Sequence, residues 1–312
     1  MDIRLIGAPI FYGCDNPGTE LATKKLRELD IVYKLESYGH KVNDIGDILV
    51  PYVPEEEKFK LSNNMKYLEP IINTNKKLAY EVEQSLKEGE FPLILGGDHS
   101  IGIGAIAGVS NHYKNIGVIW IDAHADINTD ITSSSKNVHG MPLAIAMGIG
   151  HESLTSINKN RVKVNPKNVF HLGGRDFDKG EIELIDKIDS NFYTNKDLRR
   201  EGIDNIINDI IEKIEKSNLD AVHISLDIDF IDYEYVPGTG TRVKEGFTVE
   251  ETKHILKRLS SISIIKSIDI VELNPRLDIK DTTANIVIEL IDSLFKSKTN
   301  ELQEDFYNVE YI

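Results

Sequence analysis

Histidine and aspartate residues are concentrated at three points of the sequence where an apolar run ends. The run ending at Leu95 is followed by "GGDHS", the run ending at Ile121 by "DAHAD", and the run ending at Leu226 by "DID". Alternate residues of an extended segment share one face, as Asp122, His124 and Asp126 do in one segment and Asp227 and Asp229 in another. These side chains are the candidate metal ligands: His99, Asp122, His124, Asp126, Asp227 and Asp229.

The chemical types of these six residues favour two metal ions over one. A single Asp-x-Asp pair is usually a solvated turn, but four carboxylates and two imidazoles are too many ligands for one ion. A ligand set without a thiolate suits Mn²⁺, Fe²⁺ or Co²⁺ better than a cysteine-rich zinc site. Two divalent cations balance four aspartate charges. Such a pair, roughly 3.5 to 4 Å apart, lowers the pKa of water between the ions and directs hydroxide at an electrophilic carbon.

The elements that carry these residues alternate between strands and helices. Eight β-rich runs are predicted as strands: "IRLIGAP", "KVNDIG", "FPLILGG", "NIGVIWID", "NVFHLGG", "NFYT", "AVHISLD" and "IIKSIDIVEL". The spacing of apolar residues predicts helices over 21–38, 65–87, 205–216 and 249–259, and a last helix capped by Asp281 or Thr282 that runs to Phe295. This alternation predicts an α/β fold with a parallel sheet, which binds ligands at the carboxyl ends of its strands.

The overall composition is that of a globular protein without nucleic-acid or membrane partners. The chain has 312 residues, of which 40% are hydrophobic and 28% charged, and both values are ordinary for soluble proteins. A formal net charge of −15 predicts repulsion of nucleic acid and anionic membranes, and it is compatible with a cationic small substrate. The one cysteine, Cys14, and the lack of a signal-peptide pattern favour a cytoplasmic location. No linker-like segment interrupts residues 1–312, which we expect to form one domain.

A series of ordered motifs resembles the ureohydrolase superfamily and, within it, the arginases. The motifs extend from "IGAP" at Ile6 to "VELNP" at Pro275 and include "GGDHS", "DAHADINT", "SSSKNVHG", "GGRDFDKGE", "SLDIDFID" and "PGTGT". The resemblance implies a three-layer α/β/α fold with a parallel sheet of about eight strands. It also implies a homo-oligomer, a trimer or hexamer, with two Mn²⁺ per subunit held by the six candidate ligands. Asp122 and Asp227 are the implied bridging ligands.

The same resemblance implies a reaction and a role for further residues. The reaction is hydrolysis of a guanidinium group, which for L-arginine gives L-ornithine and urea. Three residues are implied in catalysis: His139 as general acid/base or proton shuttle, Glu272 as the partner of the guanidinium, and Asp126. Six are implied in substrate binding: Asn128, Ser135 and Asn137 at the α-carboxylate, Asp178 and Glu181 at the α-ammonium, and Thr241 in the pocket.

Three departures from the family pattern concern substrate preference. Asp130 replaces a usual proline, Lys136 replaces the glycine before Asn137, and Arg242 stands where proline is common. Lys136 is expected to add positive charge beside the positions implied for the α-carboxylate. Agmatinase, formiminoglutamase and guanidino-acid hydrolases share the metal core, so they are the alternative activities.

Two alternative hypotheses place the protein in other functional classes. Gly102, Gly104 and Ala107 in "GIGAIA" fit the G-x-G-x-x-A dinucleotide fingerprint, with Asp122 further along the chain. The fingerprint needs its first glycine directly after the strand, whereas Gly102 is predicted to lie inside a helix, where small residues permit close packing. A non-catalytic metal-binding protein is the other alternative, and the presence of both His139 and Glu272 argues against it.

Overall fold

The protein is built around a fully parallel β-sheet. In the computed structural model, residues 1–158 and 162–309 are described, and residues 297–309 are described by their backbone alone. Within these residues the sheet has eight strands: β1 (Asp2–Ala8), β2 (Lys41–Asp47), β3 (Phe91–Gly96), β4 (Ile116–Ile121), β5 (Val169–Gly174), β6 (Asn191–Thr194), β7 (Ala221–Asp227) and β8 (Ile265–Val271). Their order is β2-β1-β3-β8-β7-β4-β5-β6. All eight predicted strands are therefore confirmed.

Helices cover both faces of the sheet, which gives the predicted three-layer α/β/α arrangement. They are α1 (Ala22–Glu28), α2 (Ile31–Ser37), α3 (Leu68–Lys87), α4 (Gly102–His112), α5 (Pro142–Ala146), α6 (Glu152–Thr155), α7 (Lys179–Ile185), α8 (Asn195–Glu201), α9 (Ile203–Lys216), α10 (Val249–Ser260) and α11 (Thr282–Val309). One core lies under α1, α2 and α8 to α11, and the other under α3 to α6. Adjacent β3 residues alternate between the two, with Leu93 in the first and Ile94 in the second. None of the helices in the described ranges is long and apolar enough to cross a membrane.

The candidate site residues follow four strands that are neighbours at the centre of the sheet. His99 follows β3, Glu272 follows β8, and Asp122 follows β4. Asp227 is the last residue of β7. These strands are neighbours in the order β3, β8, β7, β4. β3, β4 and β7 are buried along their whole length because helices cover both faces. The carboxyl ends of four adjacent parallel strands thus bring residues from distant parts of the sequence to one edge.

Some predicted helix limits were wrong, and local backbone conformation explains the differences. The helix predicted over 21–38 is divided into α1 and α2 because Asp30 has a left-handed conformation, with φ 59°. The helix predicted from residue 65 begins at Leu68 instead, after Tyr67 with φ 50°. The last helix begins at Thr282 as predicted, but the side chain of Asp278 accepts the N–H groups of Thr283 and Ala284 at 2.9 Å, so Asp278 is the cap.

The glycines of "GIGAIA" serve helix packing. Gly102 is the first residue of α4, and β3 has already ended at Gly96. A Cβ atom at Gly104 would lie 2.6 Å from the backbone oxygen of Asn75 on α3, and one at Gly102 would lie 2.9 Å from Trp120. The glycines therefore allow α4 to approach α3 and β4 closely, which is the predicted role of small residues in this helix.

Candidate metal centre and active site

The candidate ligands form two groups at the carboxyl edge of the sheet. His99, Asp122 and Asp227 make one group, Asp122, His124 and Asp229 make the other, and within each group the ligand atoms lie within 4.8 Å of one another. Asp122 belongs to both groups, whereas Asp227 belongs only to the first. The sixth predicted ligand, Asp126, lies beside the first group, with its Oδ2 3.0 Å from His99 Nδ1. All six predicted positions are thus brought together.

The His99 side chain has a defined tautomer because of its hydrogen bonds. Ser225 Oγ donates its only proton to Asp269 Oδ1 at 2.6 Å, so at 2.8 Å from His99 Nε2 it must accept. In neutral His99 the proton is therefore on Nε2, and Nδ1 is left with a lone pair. Nδ1 is buried without a hydrogen-bond partner and lies 3.0 to 3.2 Å from oxygens of three carboxylates.

Lone pairs of a nitrogen and three carboxylates that face one another require positive charge between them, so these residues fit divalent cations. Burial opposes protonation of His99, but the surrounding carboxylates outweigh burial and hold its pKa well above the usual value. Burial and then repulsion from Asp122 raise the pKa of Asp126 to about 6. Both directions show an excess of negative charge at this edge, which is the electrostatic condition for binding a cation.

The hydrogen bonds that orient His99 continue into the sheet as a buried polar seam between β7 and β8. Asp269 Oδ2 lies 2.9 Å from His223 Nε2, and His223 Nδ1 lies 2.7 Å from Ser267 Oγ. Together with Ser225, these side chains are completely buried. Hydrogen bonds behind a ligating histidine fix its ring orientation and its tautomer. We call the set Ser225, Asp269, His223 and Ser267 the polar seam.

His139 and Glu272 are paired directly beside the two ligand groups. Glu272 Oε1 accepts the His99 backbone N–H at 2.9 Å and lies 3.0 Å from His139 Nδ1. Burial works against charge on both groups, but their mutual attraction raises the pKa of His139 and lowers that of Glu272, so the ion pair is favoured. Glu272 also has a left-handed φ of 65°, a strained conformation that a functional position can retain. Because Oε1 is engaged twice, Oε2 is the atom left for a ligand.

The predicted substrate residues line one cleft above the ligand groups. The cleft has a volume of about 260 Å³ and contains Asn128, Ser135, Asn137, Asp178, Glu181 and Thr241, together with His124, Asp126, His139 and Asp227. Glu272 lines an adjoining cavity of about 80 Å³ with Cys14, Asn137, His139 and Thr241. A larger cleft, of about 600 Å³, lies between α10 and α11, but its Lys253 is already paired with Glu250 and Glu289. It contains none of the candidate site residues.

On one wall of the cleft, the acidic residues are held by backbone and amide groups. Glu181 accepts the N–H groups of Asp178 at 2.9 Å and Ile127 at 3.2 Å, so its carboxylate joins α7 to the ligand loop. Burial raises the pKa of Glu181 to about 7. Asn128 Nδ2 donates to Asp178 Oδ2 at 2.9 Å, and its Oδ1 accepts from Thr132. Asp178 is the more exposed of the two acids.

Two residues that depart from the family pattern, Lys136 and Arg242, have defined contacts in the structure. The amine of Lys136 does not lie beside the predicted carboxylate positions: it donates to Asn63 O at 2.8 Å and lies over the Phe59 ring. Lys136 has φ 62°, which explains why glycine is usual there. Arg242 donates to the backbone oxygens of Pro237 and Thr239. Thr241 lines the cleft, and its hydroxyl donates to Asp229 Oδ2 at 2.9 Å.

Sequence reasoning did not identify all residues around the site. Ser133 and Asp176 also line the cleft, and each lies two residues from a predicted position, on the same loops. The polar seam was not predicted either. Its residues occupy alternate positions of two apolar strands, His223 and Ser225 on β7 and Ser267 and Asp269 on β8. Polar residues spaced by two along neighbouring buried strands were the available signal, because such residues share one face.

Known proteins are similar to this chain in sequence and in overall fold. Residues 1–296 match the model of the Arginase family. Arginase from Brevibacillus brevis is 40% identical over 297 residues, covering 95% of this chain and 98% of the relative. The crystal structure of arginase from Bacillus subtilis subsp. subtilis str. 168 superposes with a TM-score of 0.89 at 38% identity, covering 95% of this chain and 98% of the other. Entamoeba histolytica arginase in complex with L-ornithine superposes with a TM-score of 0.87 at 34% identity, covering 94% and 97%. The chain therefore belongs to the arginase family.

Proposed function

We propose that this protein hydrolyses the guanidinium group of L-arginine to L-ornithine and urea with the help of two Mn²⁺ ions per chain. The observation that carries the proposal is the position of the His139–Glu272 pair. Glu272 contacts the backbone of His99, one of the metal-type ligands, and His139 lines a cleft with polar residues suited to an amino-acid head group. Two relatives that are 40% identical to this chain over 95% of its length are arginases, which favours this substrate over other guanidino compounds.

The two ligand groups are the proposed metal sites. The ions would be held by His99, Asp122, His124, Asp126, Asp227 and Asp229, of which Asp122 belongs to both groups. When bound, a pair of divalent cations supplies a water of lowered pKa as the nucleophile, which a guanidinium carbon requires because it is a poor electrophile. Mn²⁺ is chosen because the family resemblance implies it, and carboxylate and imidazole ligands without sulfur are compatible with it.

The chain's own groups orient the substrate and move a proton. Glu272 Oε2 accepts N–H groups of the guanidinium, because Oε1 is already occupied by His99 N–H and His139. His139, which lines the cleft, exchanges a proton through Nε2 with the departing amine. The ion pair with Glu272 keeps the imidazole close to the leaving group and favours its protonated form.

The head group of the substrate is assigned to the outer part of the cleft. Asn128, Ser135 and Asn137 meet the α-carboxylate, and Asp178 meets the α-ammonium. Glu181 adds negative charge to the same wall, although its oxygens already accept two backbone N–H groups. Thr241 keeps Asp229 in place while it closes the cleft on one side.

The proposal also covers the domain organisation, the location and the oligomeric state of the protein. Residues 1–312 form a single catalytic domain, a statement supported by one continuous sheet whose central strands all contribute to the site. The protein is cytoplasmic, in keeping with one free cysteine in a chain of this length. It is a homo-oligomer, a trimer or hexamer, by family resemblance, and its net charge of −15 opposes binding to nucleic acid and anionic membranes.

The test compares two substrates that differ only in the α-carboxylate. We expect kcat/KM for L-arginine to exceed that for agmatine at saturating Mn²⁺, because a site built to hydrogen-bond a missing group is left with unpaired polar groups. Asn137→Ala should reduce this ratio, whereas Asn43→Ala on the edge strand β2 should not. A higher kcat/KM for agmatine would reject the head-group assignment, and a lack of urea from either substrate would reject the reaction.

A further inference from the structure

A lysine outside the predicted site contacts the side chain assigned to the α-carboxylate. Lys66 Nζ donates to Asn137 Oδ1 at 2.9 Å, across 71 residues of sequence. On its other side, Asn137 Nδ2 donates to the backbone oxygen of Cys14 at 3.0 Å. Lys66 itself lies behind Asn137 and is not among the residues that line the cleft. Its side chain therefore acts on the cleft through Asn137, which does line it.

These two contacts determine which way the Asn137 amide faces. A lysine ammonium can only donate hydrogen bonds, and a backbone carbonyl can only accept them. The amide therefore satisfies both neighbours in one orientation, with its oxygen toward Lys66 and its nitrogen toward Cys14. Among the described residues, no protein acceptor takes the second Nδ2 hydrogen of Asn137. That hydrogen is left for a ligand in the cleft.

Lys66 is held in place by contacts of its own. Its Nζ lies 2.9 Å from Asp15 Oδ2, and its backbone N–H donates to the oxygen of Lys136 at 3.0 Å. Lys58 Nζ pairs with the same carboxylate, at 2.9 Å from Asp15 Oδ1 and 3.0 Å from Asp15 Oδ2. Because Lys66 is fixed by both its side chain and its backbone, it loses little freedom when it holds Asn137.

We propose that Lys66 is a specificity-determining positioning residue, which orients Asn137 so that the amide offers a donor to the α-carboxylate of the ligand. This inference rests on the proposed function, which assigns that carboxylate to the Asn137 end of the cleft. A reversed amide offers its oxygen instead, and that oxygen repels a carboxylate. Lys66 thereby selects ligands with an α-carboxylate over amines that lack one.

The experiment measures binding instead of turnover, so that it does not depend on the reaction. The Mn²⁺-loaded protein is titrated in a calorimeter with L-ornithine and with putrescine, which differ by the α-carboxylate. We expect Lys66→Met to weaken L-ornithine binding by about tenfold, the scale of one hydrogen bond to a charged group. Putrescine binding should change by less than about twofold.

Three variants make the result specific. Lys58→Met also removes a positive charge that pairs with Asp15, but Lys58 does not contact Asn137. This variant should therefore leave the ratio of the two affinities unchanged. Lys66→Arg keeps a side chain that only donates and should retain the preference for L-ornithine. Lys66→Gln offers both a donor and an acceptor, so it should lose the preference, and it serves as the test if Lys66→Met does not fold.

Several outcomes would overturn the role of Lys66. These are an unchanged affinity ratio in both Lys66→Met and Lys66→Gln, an equal loss for the two ligands, or an equal effect of Lys58→Met. A parent protein that does not prefer L-ornithine to putrescine would overturn it as well. Failure of the proposed function gives a different result, namely no urea from L-arginine, whatever the affinity ratio.

Discussion

At the scale of single residues, the proposed catalytic role of His139, which pairs with Glu272, can be tested separately from metal binding. His139 contacts the carboxylate at 3.0 Å and is not a member of either ligand group. We therefore expect His139→Asn to lower kcat by about 10² to 10⁴, the usual contribution of a general acid/base. The metal content should remain that of the parent, because none of the six ligands is changed. Steady-state kinetics and metal analysis of the same preparation provide both values.

The exposed His254 offers a control for this substitution. It pairs with Asp204 on the surface and does not line the cleft, so His254→Asn should leave both kcat and metal content unchanged. If His139→Asn loses metal and activity to the same extent, His139 is a structural residue and its catalytic assignment is wrong.

Lys136 combines a strained backbone conformation, which destabilises the folded protein, with side-chain contacts that stabilise it. A left-handed conformation costs a residue with a side chain roughly 1–2 kcal/mol, and Lys136 has φ 62°. Its contacts with Asn63 O and the Phe59 ring recover about 0.5–1 kcal/mol each. Lys136→Gly removes the strain and the contacts together, so we expect its free energy of unfolding to stay within about 1 kcal/mol of the parent. Lys136→Ala keeps the strain and loses the contacts, so it should be destabilised by about 1–2 kcal/mol.

Urea-induced unfolding of these two variants measures the difference. The decisive observation is their order: the glycine variant should be the more stable. If the alanine variant is as stable as the glycine variant, the conformation of residue 136 is not strained, and the family preference for glycine there needs another explanation.

At the scale of elements, the polar seam between β7 and β8 supports one ligand from inside the sheet. Ser225 and Ser267 lie at opposite ends of this seam, but only Ser225 contacts His99. Ser225→Ala leaves His99 Nε2 without its buried acceptor, and loss of such support typically weakens metal binding by about 10 to 100-fold. Ser267→Ala removes the same hydroxyl from the same seam and should change metal affinity much less. Competition of each variant with a chelator measures the affinity.

The free energy of unfolding without metal distinguishes support of the ligand from support of the fold. Both serine variants leave one buried histidine nitrogen unsatisfied, so both should be destabilised to a similar extent, about 1–3 kcal/mol. Equal metal affinities in the two variants would show that the seam stabilises the sheet without acting on His99.

At the scale of the whole molecule, the concentration of negative charge at one edge of the sheet makes metal binding a source of stability. Removal of the ions should lower the melting temperature, because buried carboxylates around His99 Nδ1 then lose the charge that balances them. Free Mn²⁺ at about 100 times its dissociation constant should restore about 2.7 kcal/mol. Calorimetry with and without chelator measures this shift, and metal analysis should find about two ions per chain.

Asp122 and Asp130 provide the matched pair for the stoichiometry. Asp122 belongs to both ligand groups, so Asp122→Ala should reduce the content below that of a single intact site. Asp130, on the loop that follows, belongs to neither group, and Asp130→Ala should keep the parent value. A parent content of one ion per chain, or two ions retained without Asp122, would contradict a dinuclear centre.

Much of the fold and of the metal centre could be predicted from the sequence because the relevant signals are local. Apolar runs such as "FPLILGG" indicate buried strands, and a polar residue at the end of such a run lies at the edge where ligands bind. The eight strands, the parallel sheet and the convergence of His99, Asp122 and Asp227 follow from these patterns. Helix limits were less predictable, since left-handed residues such as Asp30 and Tyr67 interrupt a helical pattern without altering its apolar spacing.

Other features were decided only by tertiary structure. The order of the strands places β8 between β3 and β7, and this order brings Glu272 against the backbone of His99. Lys66 lies within a predicted helix in the sequence, but in the structure it precedes α3 and reaches Asn137. Lys136 was expected near the substrate and instead contacts Phe59 and Asn63. Such contacts join residues far apart in the chain, and they depend on how whole elements pack together, which local residue patterns do not record.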